Sequence, residues 1–335
     1  MRSRRLLLGA QLGLLGIAVW LLILPKLRGS SHSLTMLWDL DSVWVPLALA
    51  AEAGSLLAYT LATRTMLAEQ VRPPYRRVMC IDLSSIALGH CLPDGGAAGT
   101  ALSWRLLVKN GVPGSDAAFA KLAQGLSSAL MLFVLLFTAL LVGGYDGGYT
   151  RWTIGPLALV SAALLGVTTV IAAVRRPGFR DRLAGRLARI PRIGAAIAHR
   201  IGHLYDAHLE GHVRGAFRDR RRMAQAAGWS MANWALDFAA LYACLTAFDA
   251  DMRLEGVAVA FAIACFGAWL PITPSGLGVT EGLMIPALIA FGAPQAAAVL
   301  GVLTWRAVAY WLPIPLGALA YTALRLERRT PLPAS

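Results

Sequence analysis

Leu270-Pro271-Ile272-Thr273-Pro274-Ser275-Gly276 interrupts an apolar stretch, 256–291, close to its middle. A helix cannot run through two prolines and a glycine at that spacing, because each proline lacks an N–H and glycine readily takes turn conformations. The stretch therefore reads as two helical arms of about a dozen residues meeting at a turn, each arm roughly half a bilayer long at 1.5 Å per residue. A second stretch, 80–107, is broken in the same way at Leu92-Pro93-Asp94-Gly95-Gly96. Both are expected to be re-entrant hairpins.

Around these hairpins lie apolar runs long enough to cross a bilayer, at 6–25, 43–63, 117–142, 154–174, 227–248 and 296–324. The composition agrees: 57% of the 335 residues are apolar and 15% charged, with a mean hydropathy of +0.60, against about half and about a quarter in ordinary soluble domains. The expected fold is all-α and polytopic, with six full spans plus the two hairpins. No soluble segment is large enough to be an enzyme by itself. The first run, preceded by Arg2, Arg4 and Arg5, reads as a signal anchor, since Pro25-Lys26-Leu27-Arg28 offers no small-residue cleavage site.

Cations set the orientation. Arg64, Arg72, Arg76 and Arg77 follow the second span, and Arg325, Arg328 and Arg329 follow the last, which places both chain ends in the cytoplasm of a plasma or inner membrane. Loops near Asp146 and near Asp249, Asp251 and Glu255 are acidic and fit the outer face. The net charge of +13 lies mainly in clusters between spans, which suits anionic headgroups; nucleic acid is not expected as a partner. Residues 175–222 carry thirteen Arg against four acids, and this segment is expected to rest on anionic lipid. Its pairs His199-x-x-x-His203 and His208-x-x-x-His212 have metal-binding spacing but read as a solvated face, so no metal or other cofactor is expected. The four cysteines, Cys80, Cys91, Cys244 and Cys265, lack close pairing and read as core residues.

The two hairpins resemble one another. Gly89-His90-Cys91-Leu92-Pro93 matches Gly267-Ala268-Trp269-Leu270-Pro271, and Asn110-Gly111-Val112-Pro113 matches Phe291-Gly292-Ala293-Pro294. Span, hairpin, span thus occurs twice, at 43–142 and 227–324, in opposite orientations. Residues 1–42 (anchor and outer loop), 143–226 (linking span and Arg-rich segment) and 325–335 (tail) complete a single membrane domain. Short matches of this kind arise by chance in apolar sequence; the agreement of topology with spacing carries the repeat.

Broken backbone at membrane depth must be satisfied by protein or water. The second arm of each hairpin begins just after its break, so two helix N-termini point towards mid-membrane, a setting for phosphate or carboxylate. The candidate substrate-binding residues are Asp94, Gly95, Gly96, Arg105 and Lys109 in the first hairpin and Ser275, Gly276, Thr280 and Glu281 in the second. Arg306, eleven residues into the last span, joins them with Glu281 as its expected partner. Glu52 and Asp237 are further intramembrane acids, with structural pairing or a coupling role as the alternatives.

Leu270-Pro-Ile-Thr-Pro-Ser-Gly-Leu-Gly-Val-Thr-Glu281, Gly292-Ala-Pro, Trp305-Arg306 and Trp311-Leu-Pro-Ile-Pro-Leu-Gly317 resemble the signature of the lysylphosphatidylglycerol synthase transmembrane region, also called UPF0104. Leu92-Pro-Asp-Gly-Gly-Ala-Ala-Gly99, continuing to Arg105-Leu-Leu107, resembles its other motif. The resemblance covers about 10–325. Ser275 replaces a usual glycine, a departure expected only to stiffen the turn. The resemblance implies a flippase-like region, with Arg105, Glu281 and Arg306 as cavity residues. It does not extend to the aminoacyl-transferase domain of full-length relatives, so synthase activity is not implied.

The resulting expectation is a flippase that moves an anionic or aminoacylated phospholipid, or a lipid-linked sugar, between leaflets. Phospholipid or polyprenyl-linked lipid is the expected partner, with a second copy or an envelope-biosynthesis enzyme as further ones. The alternative is a membrane enzyme or accessory subunit in lipid or cell-envelope biosynthesis, but no catalytic motif supports an enzyme.

Overall fold

A computed structural model describes residues 43–92, 95–145, 219–250, 252–269 and 273–327. The spans expected at 6–25 and 154–174, the segment 175–218 with its four histidines, Asp94, Asp146, Asp251 and the tail from 328 onward lie outside the described residues.

All regular structure in the described residues is helical. Helix α1 is Trp44–Met66, α2 is Tyr75–Cys91, α3 is Gly95–Lys109 and α4 is Gly114–Tyr145. Then come α5 (Arg220–Thr246), α6 (Leu254–Ala268), α7 (Val279–Ala290), α8 (Gln295–Arg306) and α9 (Pro313–Glu327). Among the described residues, three helical stretches are long and apolar enough to cross a membrane: α1, most of α4, and the continuous run Gln295–Leu326. Helix α5 also has the length, at 27 residues, but carries Arg220, Arg221, Arg222, Asn233 and Asp237.

Helix ends follow local chemistry. Asp219 caps α5 by accepting from the Arg222 amide at 3.0 Å. The same Arg222 reaches across to the open end of α1, where its guanidinium donates to the carbonyls of Thr65 (2.8 Å) and Met66 (2.5 Å). Arg72 donates to Leu67 O at 3.1 Å. Carbonyls that a helix C-terminus leaves without partners are thereby satisfied.

Both breaks are present. Helices α2 and α3 pack as a hairpin around 92–95, and α6 and α7 pack as another around a short 3₁₀ turn, Pro274–Gly276. The arms of the first hairpin exceed the expected dozen residues: α2 has 17 and α3 has 15, about 25 and 22 Å. Helical hydrogen bonding continues past the apolar stretch through Tyr75, Arg76 and Arg77, since a helix needs no apolarity to propagate. The first hairpin is tight because its contact face is glycine. A Cβ on Gly95 would strike the carbonyl of Gly89, and one on Gly99 would lie 2.6 Å from Ser85 O.

The α1–α5 pair is the most extensive helix contact between the two halves. Polar groups hold it: Asn233 Nδ2 donates to Ser55 Oγ (2.7 Å) and to Ser55 O (3.1 Å). Nearby, α4 meets α5 through Ser127 and Ser230 at 3.0 Å and through Trp234 Nε1 donating to Ser128 O at 2.9 Å. Such interhelical hydrogen bonds supply specificity where the surroundings are as apolar as the side chains. Further out, α4 also packs on α6, and α9 packs on α2. The main core gathers Phe261, Leu241, Leu245, Met284, Leu288 and Trp305 where α5 to α8 converge with α4. Outward faces carry Leu47, Leu57, Leu122, Leu126, Leu141 and Leu319, all exposed. Apolar residues on the outside with serine, lysine and carboxylates within suit a lipid surround.

Candidate functional site

The two breaks meet. Ser275 lies at φ 42°, in the left-handed region, and its hydroxyl donates to Gly89 O at 3.0 Å, joining the turn of the second hairpin to the end of α2. The expectation that Ser275 merely stiffens its turn is thereby corrected, because the side chain that glycine would lack makes the bond between hairpins. Beside it, His90 and Tyr310 stack with ring centroids 4.5 Å apart and an interplanar angle of 10°. The Tyr310 hydroxyl donates to His90 O at 2.6 Å, and His90 Nδ1 lies 2.9 Å from Tyr310 O. Tyr310 is placed by a π turn, Ala307–Trp311, where Leu312 N reaches back to Ala307 O at 3.0 Å. Pro313 has no N–H to continue the α pattern, which explains the widened turn at this point.

Two cavities of about 470 Å³ each adjoin this contact. Both touch His90, Gly95, Gly96, Trp269 and Ser275, so the hairpin tips are their common wall. One is otherwise bounded by the first half, including Tyr59, Ser103, Lys121 and Gln124. The other belongs mostly to the second half, with Asp237, Thr273, Thr280, Trp305 and Arg306.

In the second cavity Arg306 Nε donates to Glu281 Oε1 at 2.5 Å, and Glu281 Oε2 accepts from the Gly278 amide at 2.6 Å. Glu281 thus caps α7 and orients the guanidinium with one carboxylate. Arg306, 7% exposed, also lies over the rings of Tyr310 (4.7 Å) and Trp305 (5.6 Å). Its Nη2 is buried without a hydrogen-bond partner, as are Thr280 Oγ1 and Thr273 Oγ1 on the same wall. Unmatched polar atoms at this depth are costly, and three of them on residues that line one cavity would be satisfied by an anion drawn in against that wall. Trp305 Nε1 donates to Asp237 Oδ1 at 2.8 Å, and Glu52 is the acidic neighbour of Asp237 across the α1–α5 contact. The acids expected singly from the sequence are therefore one pair.

Of the remaining expected residues, Gly95, Gly96 and Ser275 line both cavities, and Gly276 (φ 71°) forms the turn beside Thr280. Arg105 and Lys109 are exposed on the later turns of α3 and line neither cavity. Asp94 lies outside the described residues.

Sequence reasoning passed over a second buried ion pair. Lys121 and Asp82 meet at 3.1 Å with side chains 5% and 1% exposed. Lys121 Nζ also donates to Gln124 Oε1 (2.6 Å) and Thr63 Oγ1 (3.4 Å) and lies 5.1 Å from the Tyr59 ring centroid. The signal was present, since a lysine inside the run 117–142 is as anomalous as an arginine inside 296–324.

Apolar outer faces, two interrupted helices joined at their breaks and ionised side chains held in the interior define a multi-pass helical membrane protein with a polar centre. The family described as Lysylphosphatidylglycerol synthase TM region matches residues 10–317, and the chain belongs to that family. Two relatives from Methanothermobacter thermautotrophicus, each named UPF0104 membrane protein, are similar along most of their length. One is 23% identical over 323 residues, covering 92% of both chains; the other is 25% identical over 287 residues, covering 82% of this chain and 81% of its own.

Proposed function

We propose that this chain is a flippase-like carrier that passes an anionic or aminoacylated lipid headgroup between leaflets while the lipid tail stays in the bilayer. The observation that carries the reading is the buried, unmatched Nη2 of Arg306, together with the unmatched hydroxyls of Thr280 and Thr273, on residues that line one cavity at the hairpin tips. Arg306 holds the phosphate, Glu281 fixes its geometry, and a cationic headgroup group finds Asp237, with Glu52 behind it, on the wall of the same cavity. Arginine suits this task because its planar fork offers donors to phosphate while one edge stays bound to the carboxylate.

In this reading the halves α1–α4 and α5–α9 are inverted repeats, and six spans with two re-entrant hairpins complete the fold. Reciprocal packing supports it, since the closing helix of each half lies against the first arm of the other half's hairpin, α4 on α6 and α9 on α2. Both chain ends face the cytoplasm of the cell membrane in this arrangement, consistent with Arg64, Arg72, Arg76, Arg77 and Arg325 flanking spans on one side. The chain acts as a carrier and not as a catalyst.

The test is headgroup accessibility in phosphatidylcholine vesicles containing a minor fraction of labelled phosphatidylglycerol, with and without purified protein. Wild-type protein accelerates exchange, whereas Arg306→Ala and Glu281→Gln return it towards the protein-free rate. Wild-type rates equal to empty vesicles overturn the carrier; mutant rates equal to wild type overturn the site.

A further inference from the structure

We propose that Arg64, Arg72 and Arg222, with Tyr75, form an anion-binding site at the open end of α1, separate from both cavities. The ligand is a phosphate-type anion, borne by a phospholipid headgroup or free in solution. The inference does not depend on the carrier reading.

Several segments converge on that helix end. The guanidiniums of Arg222, from the first turn of α5, and of Arg72, from the connection 67–74, donate to three consecutive carbonyls, those of Thr65, Met66 and Leu67. Arg64 belongs to the same turn, its carbonyl accepting from Leu67 N at 3.2 Å. Tyr75 opens α2 three residues after Arg72. Burial, and after it the charge of Arg64, lowers the Arg72 pKa from its ordinary value; Glu69 opposes and Arg222 adds to the shift. The three cations therefore act on one another, and Glu69 itself is exposed. Residues 64–77 and 219–222 together hold seven arginines against two acids, so this end of the molecule is short of negative charge. Among the described residues none of the three arginines is ion-paired to a carboxylate.

Capping of α1 does not use up these groups. Arg72 donates through Nη2 and Arg222 through Nε and Nη2. Arg64 Nε, Arg72 Nε and Tyr75 Oη are buried with no hydrogen-bond partner. The four residues are themselves only half-buried, so an anion arriving from the surface meets side chains whose inner polar atoms are unmatched. Guanidinium forks suit phosphate, which offers several acceptor oxygens at once. The level of the cluster suits a headgroup. Arg64 stands in the last turn of α1, a helix of crossing length, and Met66, Leu67, Val78 and Ala226 form an apolar floor with Leu324 near the end of α9. Basic groups gathered where helices leave the bilayer are where acidic headgroups are held.

The full chain in detergent is titrated calorimetrically with inorganic phosphate and, separately, with monomeric dihexanoyl-phosphatidylglycerol. The titrations are repeated in an Arg306→Gln/Glu281→Gln background, which removes the charges of the second cavity and should leave this site intact. Arg64→Gln, which breaks no cap of α1, weakens binding about tenfold and Tyr75→Phe about threefold. Arg76→Gln removes the same charge from an exposed arginine nearby and should change binding by less than about twofold. Binding that depends on Arg64 and not on Arg76 supports the site; seen for the lipid alone it identifies the headgroup as the source, and seen equally for both probes it identifies a free anion as sufficient. The proposal is overturned if neither probe binds, if Arg64→Gln binds like its parent, or if Arg76→Gln loses as much as Arg64→Gln, the mark of diffuse surface charge. Should Arg64→Gln melt below its parent, Tyr75→Phe decides, because it keeps the ring and its packing: unchanged binding in that variant then overturns the site.

Discussion

Each half of the molecule buries one cation on the helix that follows its hairpin, yet the two cations are left in opposite states. Lys121 follows Pro113 by eight residues and Arg306 follows Pro294 by twelve, one helical turn deeper. All three donors of Lys121 meet protein oxygens, while its partner Asp82 keeps one oxygen, Oδ2, buried without a hydrogen bond. In the second half the balance is reversed: Glu281 has both oxygens engaged, and Arg306 keeps Nη2 unmatched. A buried ion pair therefore does not define a binding site; the group with unspent hydrogen-bonding capacity does.

The largest effect should separate the pairs by stability. Lys121→Ala leaves Asp82 ionised and enclosed with no cation, a loss of about 3–5 kcal/mol by comparison with other broken buried pairs. Arg306→Ala leaves Glu281, 14% exposed at its side chain and still bound to the Gly278 amide, so its cost is smaller. Thermal unfolding in detergent should show Lys121→Ala melting well below Arg306→Ala. Translocation should rank them the other way per folded molecule. If the two variants melt together, the contrast between the halves is wrong.

A second contrast concerns how the hairpins close. The first depends on bare backbone, since Gly95 has no room for a methyl group against Gly89 O, whereas Gly96 has open space. Gly95→Ala should cost about 1–3 kcal/mol by overpacking, and Gly96→Ala should be close to neutral. Equal melting temperatures for these neighbours would show that the approach of α2 to α3 is looser than described.

Much of this was legible in the sequence because prolines and glycines act locally. The breaks at 92–95 and 270–276, the helices flanking them and the Arg306–Glu281 pair follow from spacing and from the cost of charge in oil. What escaped was long-range. Lys121 and Asp82 stand on different elements 39 residues apart, and neither lies at a break, so attention to broken backbone passed them by. His90 and Tyr310, 220 residues apart, look like ordinary apolar-helix residues until the π turn before Pro313 brings them together. Arg105 and Lys109, expected among the headgroup contacts of the first hairpin, stand exposed on α3 and line neither cavity.

A third measurement sharpens the tip contact. Tyr310→Phe removes the hydroxyl that donates to His90 O at 2.6 Å and leaves the ring stack intact. A buried hydrogen bond of this kind contributes about 1 kcal/mol. Melting should fall by a few degrees, and translocation should change in rate without loss of headgroup binding, because Arg306 is untouched.

The smallest effect on stability is the most informative about movement. Ser275→Gly removes a hydroxyl bonded to Gly89 O and, with it, the Cβ that makes φ 42° unfavourable. The lost bond costs about 1 kcal/mol and the relieved backbone returns a similar amount, so melting should hardly shift. The two hairpins, however, lose the side-chain tie between them. If that tie must break for a headgroup to pass from one cavity to the other, Ser275→Gly should translocate faster than wild type while binding phosphate equally well. Slower translocation at unchanged stability would mean that the serine hydroxyl guides the headgroup across the wall and does not restrain it.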